Sequence, residues 1–212
     1  MNVNREFQYF TFSQPSFPGA VQDGDRLIIN NKEASLCVSF LNNEELASFI
    51  KEVFENQELR IGDKVSKASF IVKNVEPLAE PSFEPVMHFQ TTSPLVLSKD
   101  NGKKTVFLSP EDKEFELLFF KNLMVKYASL VKFFPQWAGE SNFPNLSEMK
   151  LEVLGQPKGK VVKTRTDLPQ PVPVKGYMFD FKLTAPARLL SIGYQNGFGE
   201  QNHFGFGCTQ VL

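Results

Sequence analysis

The densest chemistry in this chain lies near its C-terminus, at Gly193-Tyr194-Gln195-Asn196-Gly197-Phe198-Gly199-Glu200-Gln201-Asn202-His203-Phe204-Gly205-Phe206-Gly207. Glycine permits positive φ and lets a second backbone approach closely. Successive N–H groups in such a loop can form a concave anion site suited to a phosphate. Packing alone does not account for so many glycines, so a phosphate cradle is expected, with Gly197, Gly199, Asn202, His203, Gly205 and Gly207 as its residues. A dinucleotide or Walker fingerprint needs its glycines after a strand and before a helix. Here that order is reversed, and no Gly-Lys-Ser/Thr occurs. Of the two histidines, His203 sits in the loop, where it could hydrogen-bond a phosphate or stack on a base. His88 reads as a structural residue on a sheet face.

A second group is basic: Lys158, Lys160, Lys163 and Arg165, with no acid between them. Side chains alternate along a strand, so Lys160 and Thr164 share one face and Lys163 and Arg165 the other. Such a patch suits a polyanion held by salt-sensitive phosphate contacts. Lys99, Lys103 and Lys104 read as a solvated hairpin tip. A formal net charge of −1 over 212 residues gives no global pull toward nucleic acid or anionic membrane, so any polyanion site must be local.

Cys37 and Cys208 lie far apart in apolar, strand-like contexts without metal-ligand spacing. They read as small buried hydrophobes in a reducing cytoplasm. No cofactor and no metal is expected, since no ligand cluster is visible. No segment has the apolar length of a membrane span, and Met1–Glu6 carries no signal-peptide core.

Periodicity predicts three helices that must position these groups. The first follows Asn42, whose spacing to Glu45 suits a capping box, and carries Leu46, Phe49, Ile50, Val53 and Phe54 on one face. The second opens at Ser109-Pro110-Glu111-Asp112 and runs to about Phe133. The third starts at Pro186 and ends at Asn196-Gly197. Strands are expected at Leu27–Asn30 and Ala34–Phe40, joined as a hairpin, and at Ser69–Val72, Met87–Ser98, Met149–Leu154, Lys160–Thr166, Tyr177–Thr184 and Gly207–Leu212. Pro77, Pro81 and Pro85 suggest a linker. The second half orders as β-α-β-β-α-β, with an extra hairpin around Gly155 to Thr166. The fold class is therefore α+β: two tandem ferredoxin-like (RRM-like) domains at 1–80 and 81–212. The first is expected to be incomplete at its N-terminus, without an opening strand and helix, which leaves an apolar face.

At the terminal loop, Gly197-Phe198-Gly199-Glu200-Gln201-Asn202-His203-Phe204-Gly205-Phe206-Gly207 resembles the G-x-G-E-x-N-s-x-G-F-G loop of the CRISPR repeat-processing endoribonucleases of the RAMP superfamily. His203 stands where a serine is commoner. Phe10-Thr11-Phe12-Ser13, Thr92-Ser93-Pro94-Leu95-Val96, and Asn122-Leu123 with Lys126-Tyr127 resemble further marks of that family, in order along nearly the whole chain. The resemblance implies CRISPR repeat RNA as partner and a single cut in the precursor repeat, an antiviral-defence nuclease activity. It also implies metal-independent chemistry, in which the ribose 2′-hydroxyl attacks the adjacent phosphate to leave a 2′,3′-cyclic phosphate. A general acid and base, usually a histidine, would shuttle protons.

The family's histidine falls at or before Met1 in this numbering. Three readings follow: a start lying further upstream, an RNA-binding protein that does not cut, or a site built from Arg5, Tyr9 or His203. The alternatives by class are a non-catalytic repeat-RNA-binding or scaffold subunit of an effector complex, and a protein-interaction module that forms a homodimer. The lack of an aromatic RNP1 octamer on a candidate strand argues against a general RNA-recognition-motif protein.

Overall fold

A computed structural model describes residues 9–24, 26–41, 50–63, 65–102, 104–134, 145–164 and 170–212. The chain falls into two compact units. One takes the chain up to Gln14, with Cys37–Leu41 and Ser82–Leu212; the other takes Pro15–Leu36 and Asn42–Pro81.

In the larger unit, strand β1 (Phe10–Phe12) pairs antiparallel with β4 (Val38–Phe40). A four-stranded sheet joins β7 (Val86–Thr91), β10 (Lys150–Thr164), β11 (Val172–Thr184) and β12 (Thr209–Val211) in the order β10-β11-β7-β12, all antiparallel. Helix α1 (Phe115–Phe133) lies between the first and second of these strands in the chain, and α2 (Ala187–Asn196) between the third and fourth. That is the ferredoxin-like order expected for the second half. A hairpin, β8 (Ser98–Asp100) with β9 (Thr105–Phe107), is inserted ahead of α1.

One face of the sheet is apolar because every second residue is. Met87, Phe89, Phe179, Phe181 and Leu183 meet Phe115, Phe119, Leu123 and Leu130 of α1 and Leu189, Leu190 and Ile192 of α2. Phe198 stands among them, stacked on Phe119 at 5.5 Å and edge-on to Phe89 at 5.2 Å. Phenylalanines thus form an aromatic cluster in this core that also anchors the glycine-rich segment.

In the smaller unit, β2 (Val21–Asp23) pairs with β3 (Arg26–Ile28), and β5 (Glu58–Gly62) with β6 (Lys67–Ile71). Residues 50–54 are helical; the start of that predicted helix lies outside the described residues.

Three expectations are corrected. The hairpin of Leu27–Asn30 with Ala34–Phe40 does not form: β3 turns back on β2 through Gly24 at φ 59°, and β4 pairs with β1 instead. Gly155 to Thr166 is not an extra hairpin. Gly155 (φ 69°) opens a bulge after Leu154, and β10 runs on, paired with β11 on both sides of it. The second helix begins at Phe115 rather than near Ser109, because the Asp112 carboxylate accepts the Ser109 N–H (2.7 Å) and closes a separate turn.

Candidate nucleic-acid interface

The glycine-rich segment leaves α2 at Gly197 (φ 83°) and reaches β12 through a 3-10 turn, Asn202–Phe204. Its interior is organised by a residue of α1. The Lys126 ammonium donates to the carbonyl oxygens of Gly197 (2.5 Å) and Gly199 (2.7 Å) and to Asn202 Oδ1 (2.7 Å), and the residue is 4% exposed. Asn202 Nδ2 in turn donates to the carbonyls of Phe198 (3.1 Å) and Phe206 (2.9 Å). Burial pulls the lysine down to about 7, and the Glu200 carboxylate works against that shift. Glu200 itself accepts from Ser98 Oγ at 2.6 Å.

The reason for the glycines is therefore different from the one expected. A Cβ on Gly207 would stand 1.8 Å from the Phe198 carbonyl, one on Gly199 2.5 Å from that of Val96, and one on Gly205 2.2 Å from the Phe12 ring. All three have φ between 72° and 78°. Close packing requires them. The N–H groups of Phe198, Glu200, Phe204, Gly205 and Gly207 are bonded to protein carbonyls, so these amides do not form a phosphate nest. The loop turns carbonyls inward, onto a buried cation. Its outward side is the tip, where His203 and Phe204 are both exposed and their rings stand 4.1 Å apart.

The basic strand lies beside this loop. In an antiparallel pair, opposed residues share a face. Lys158 opposes Met178, Lys160 opposes Gly176 and Val162 opposes Val174. Val174, with Val162 and Val96, packs on Phe206 of the loop, so Lys158 and Lys160 stand on the hairpin face that seats it. Lys160 Nζ donates to Gln14 Oε1 at 3.0 Å. Lys163 stands on the other face, which Lys175 of β11 shares; Lys175 lies over the Tyr177 ring at 5.2 Å. The alternation read from the sequence holds at Lys160 and Lys163. Arg165 lies outside the described residues.

Among the catalytic candidates, Arg5 also lies outside them. The Tyr9 hydroxyl is hydrogen-bonded to Ser129 Oγ (2.9 Å), and its ring packs edge-on against Phe134. His88 is exposed on the sheet face turned away from the helices, opposite Lys182. Lys99 forms an ion pair with Glu114. Sequence reasoning named Phe204 only as part of the loop and Lys126 only as a family mark, giving neither a role in the site, and it missed Lys175. For Lys126 a signal existed, since it falls on the same stripe of α1 as Leu123 and Leu130. Among the described residues no three His, Cys, Asp or Glu side chains gather as a metal site, and no helix is long and apolar enough to cross a membrane.

The scaffold of the site is thus a ferredoxin-like sheet whose last crossover ends in a glycine-rich loop pinned to α1. Residues 78–211 match the family model described as CRISPR associated protein Cas6, C-terminal. The chain belongs to the Cas6 family. It is 27% identical over 215 aligned positions to CRISPR-associated endoribonuclease Cas6 1 of Methanocaldococcus jannaschii, covering 97% of this chain and 74% of that protein. A solved structure titled CRISPR associated protein Cas6 superposes with a TM-score of 0.76 at 26% identity, over 99% of this chain and 80% of the other. A second, titled An RAMP protein binding different RNA substrates, gives 0.77 at 24% identity, over 96% and 79%. The fold is accordingly α+β with tandem ferredoxin-like units.

Proposed function

We propose that this chain binds CRISPR repeat RNA and cuts it within the repeat by attack of a ribose 2′-hydroxyl on the adjacent phosphate, with the division into domains at 1–80 and 81–212 serving that grip. The observation that carries the RNA reading is local. Phe206 seats the loop on the hairpin face that presents Lys158 and Lys160. The loop seated on that face exposes two rings at its tip, His203 and Phe204, on which bases can stack. The loop residues Gly197, Gly199, Asn202, Gly205 and Gly207 belong to the same proposed site, with Arg165 and, from the hairpin's other face and with a smaller share, Lys163. The glycines and Asn202 act there by shaping the tip rather than by holding phosphate. The names of the related endoribonuclease and of the RNA-binding RAMP neighbour support the choice of RNA and of cleavage.

Proton transfer in this reading falls to His203, which is exposed at the tip. Binding without cleavage is the second reading. It is favoured by the engagement of the Tyr9 hydroxyl with Ser129 and by the placement of His88 on the face away from the helices. Effector-complex subunits or a second copy as partners are part of the proposal and are read by mass. One gel decides the chemistry: repeat RNA is incubated with the chain and with His203→Ala in EDTA. A cyclic-phosphate product lost in the variant assigns proton transfer to His203, and a product unchanged in the variant removes it from that role. Retention without a product establishes the second reading, and neither product nor retention overturns both.

A further inference from the structure

The turn at the tip of the glycine-rich loop, Asn202–Phe204, is framed by two left-handed residues, Gln201 at φ 58° and Gly205 at φ 78°. Gln201 is not a glycine, and a left-handed residue with a side chain persists only where its surroundings hold it there. Within the turn, Phe204 N–H donates to the Gln201 carbonyl (2.9 Å) and Gly205 N–H to that of Asn202 (2.8 Å). Those bonds close the turn on itself and do not fix where it points. The buried Asn202 side chain does that. Two of its bonds return to the loop, from Nδ2 to the Phe198 and Phe206 carbonyls. The third leaves the loop, from Lys126 Nζ to Asn202 Oδ1 at 2.7 Å. The same ammonium holds the Gly197 and Gly199 carbonyls, so the loop's start and its tip meet at one atom of α1.

We propose that Lys126 is a positioning residue of the RNA site: through Asn202 it fixes the turn that presents His203 and Phe204, and it does not touch RNA itself. The proposal rests on the RNA reading of the loop tip. Lys126 is buried, and its three donors are taken by Gly197, Gly199 and Asn202, which leaves none for a phosphate. Its effect on RNA must therefore pass through the tip.

Helix α1 can act as the fixed reference because Leu123, Tyr127 and Leu130, on either side of Lys126, are buried in the core. Lys126 and Phe204 thus lie in series on one stacking contact. Removing either loses the same contact, so the two losses should not add. Lys158 stands on the hairpin, outside that series, and its loss should multiply with either. A lysine that served only the stability of the fold would show no such pairing.

The test is a double-mutant cycle on the full chain, with labelled repeat RNA titrated at a temperature where circular dichroism shows each variant folded. Lys126→Met should weaken binding roughly tenfold, about as much as Phe204→Ala. The two together should do little more than either alone, whereas Lys126→Met with Lys158→Ala should give the product of the single losses. Amide exchange supplies a reading without RNA: in Lys126→Met the Phe204 and Gly205 N–H groups should exchange faster while those of Phe181 and Leu183 in β11 keep their rates. Should Lys126→Met not fold, Asn202→Ala severs the same link at its other end and is read in the same way. Losses that multiply between Lys126→Met and Phe204→Ala, or unchanged affinity in the folded Lys126→Met, would overturn the proposal and leave the RNA reading standing. No retention of RNA by the unaltered chain would overturn that reading, and the proposal with it.

Discussion

An ammonium group has three N–H donors, and at Lys126 the loop supplies three oxygens for them. Leaving buried acceptors without donors costs about 1–3 kcal/mol each before relaxation. Lys126→Met keeps the length of the side chain and relieves the buried charge while stranding those oxygens. The net expected loss is about 3 kcal/mol, or roughly 6–12 °C in Tm for a chain of this size, read by thermal unfolding. The titration carries a sign of its own. Because the folded lysine sits at about 7 and the unfolded one near its ordinary 10.5, the native state binds fewer protons between those values, so its stability rises with pH across that window. Unfolding measured from pH 7 to 10 should show the unaltered chain gaining on Lys126→Met as pH increases; parallel curves would mean the lysine keeps its ordinary affinity for protons.

At the scale of elements, the glycine-rich loop is a packed wedge with an exposed tip. Gly207→Ala puts a Cβ 1.8 Å from a backbone carbonyl in a left-handed conformation, and should cost more than about 2 kcal/mol in unfolding free energy. Phe204→Ala touches only the tip, so it should weaken RNA retention with little change in Tm. The hairpin β10–β11 makes a sharper distinction, since its lysines divide between faces. Lys158→Ala with Lys160→Ala should weaken RNA binding at least tenfold and flatten its salt dependence. Lys163→Ala with Lys175→Ala, on the other face, should do less. Equal losses would place RNA on both faces.

How much of this was readable follows from which residues punctuate the chain. Pro186 and Asn196-Gly197 bracket α2 as written, because a proline start and a glycine with positive φ act locally. Gly155 was misread because a glycine that bulges a strand and one that turns it look alike in sequence. The glycines of the loop were legible as a site of unusual backbone. Their reason was not, since the Phe12 ring and the Val96 carbonyl that exclude a Cβ come from distant segments.

At the scale of the molecule, the proposed RNA binding asks a nearly neutral chain of the Cas6 family to supply local charge. Lys158, Lys160, Lys163 and Lys175 supply such charge on one long hairpin, which the glycine-rich loop meets through Phe206. Family membership accounts for the scaffold, while the residues named on the hairpin and at the loop tip carry the account of what it grips. The most direct test of that account is equilibrium binding of labelled repeat RNA against a shuffled RNA of equal length, followed over a salt series. The account predicts tighter retention of the repeat, with an affinity that falls roughly tenfold or more over a few-fold rise in salt. Equal affinity for the two RNAs at every salt, or no retention at the lowest salt, would contradict it.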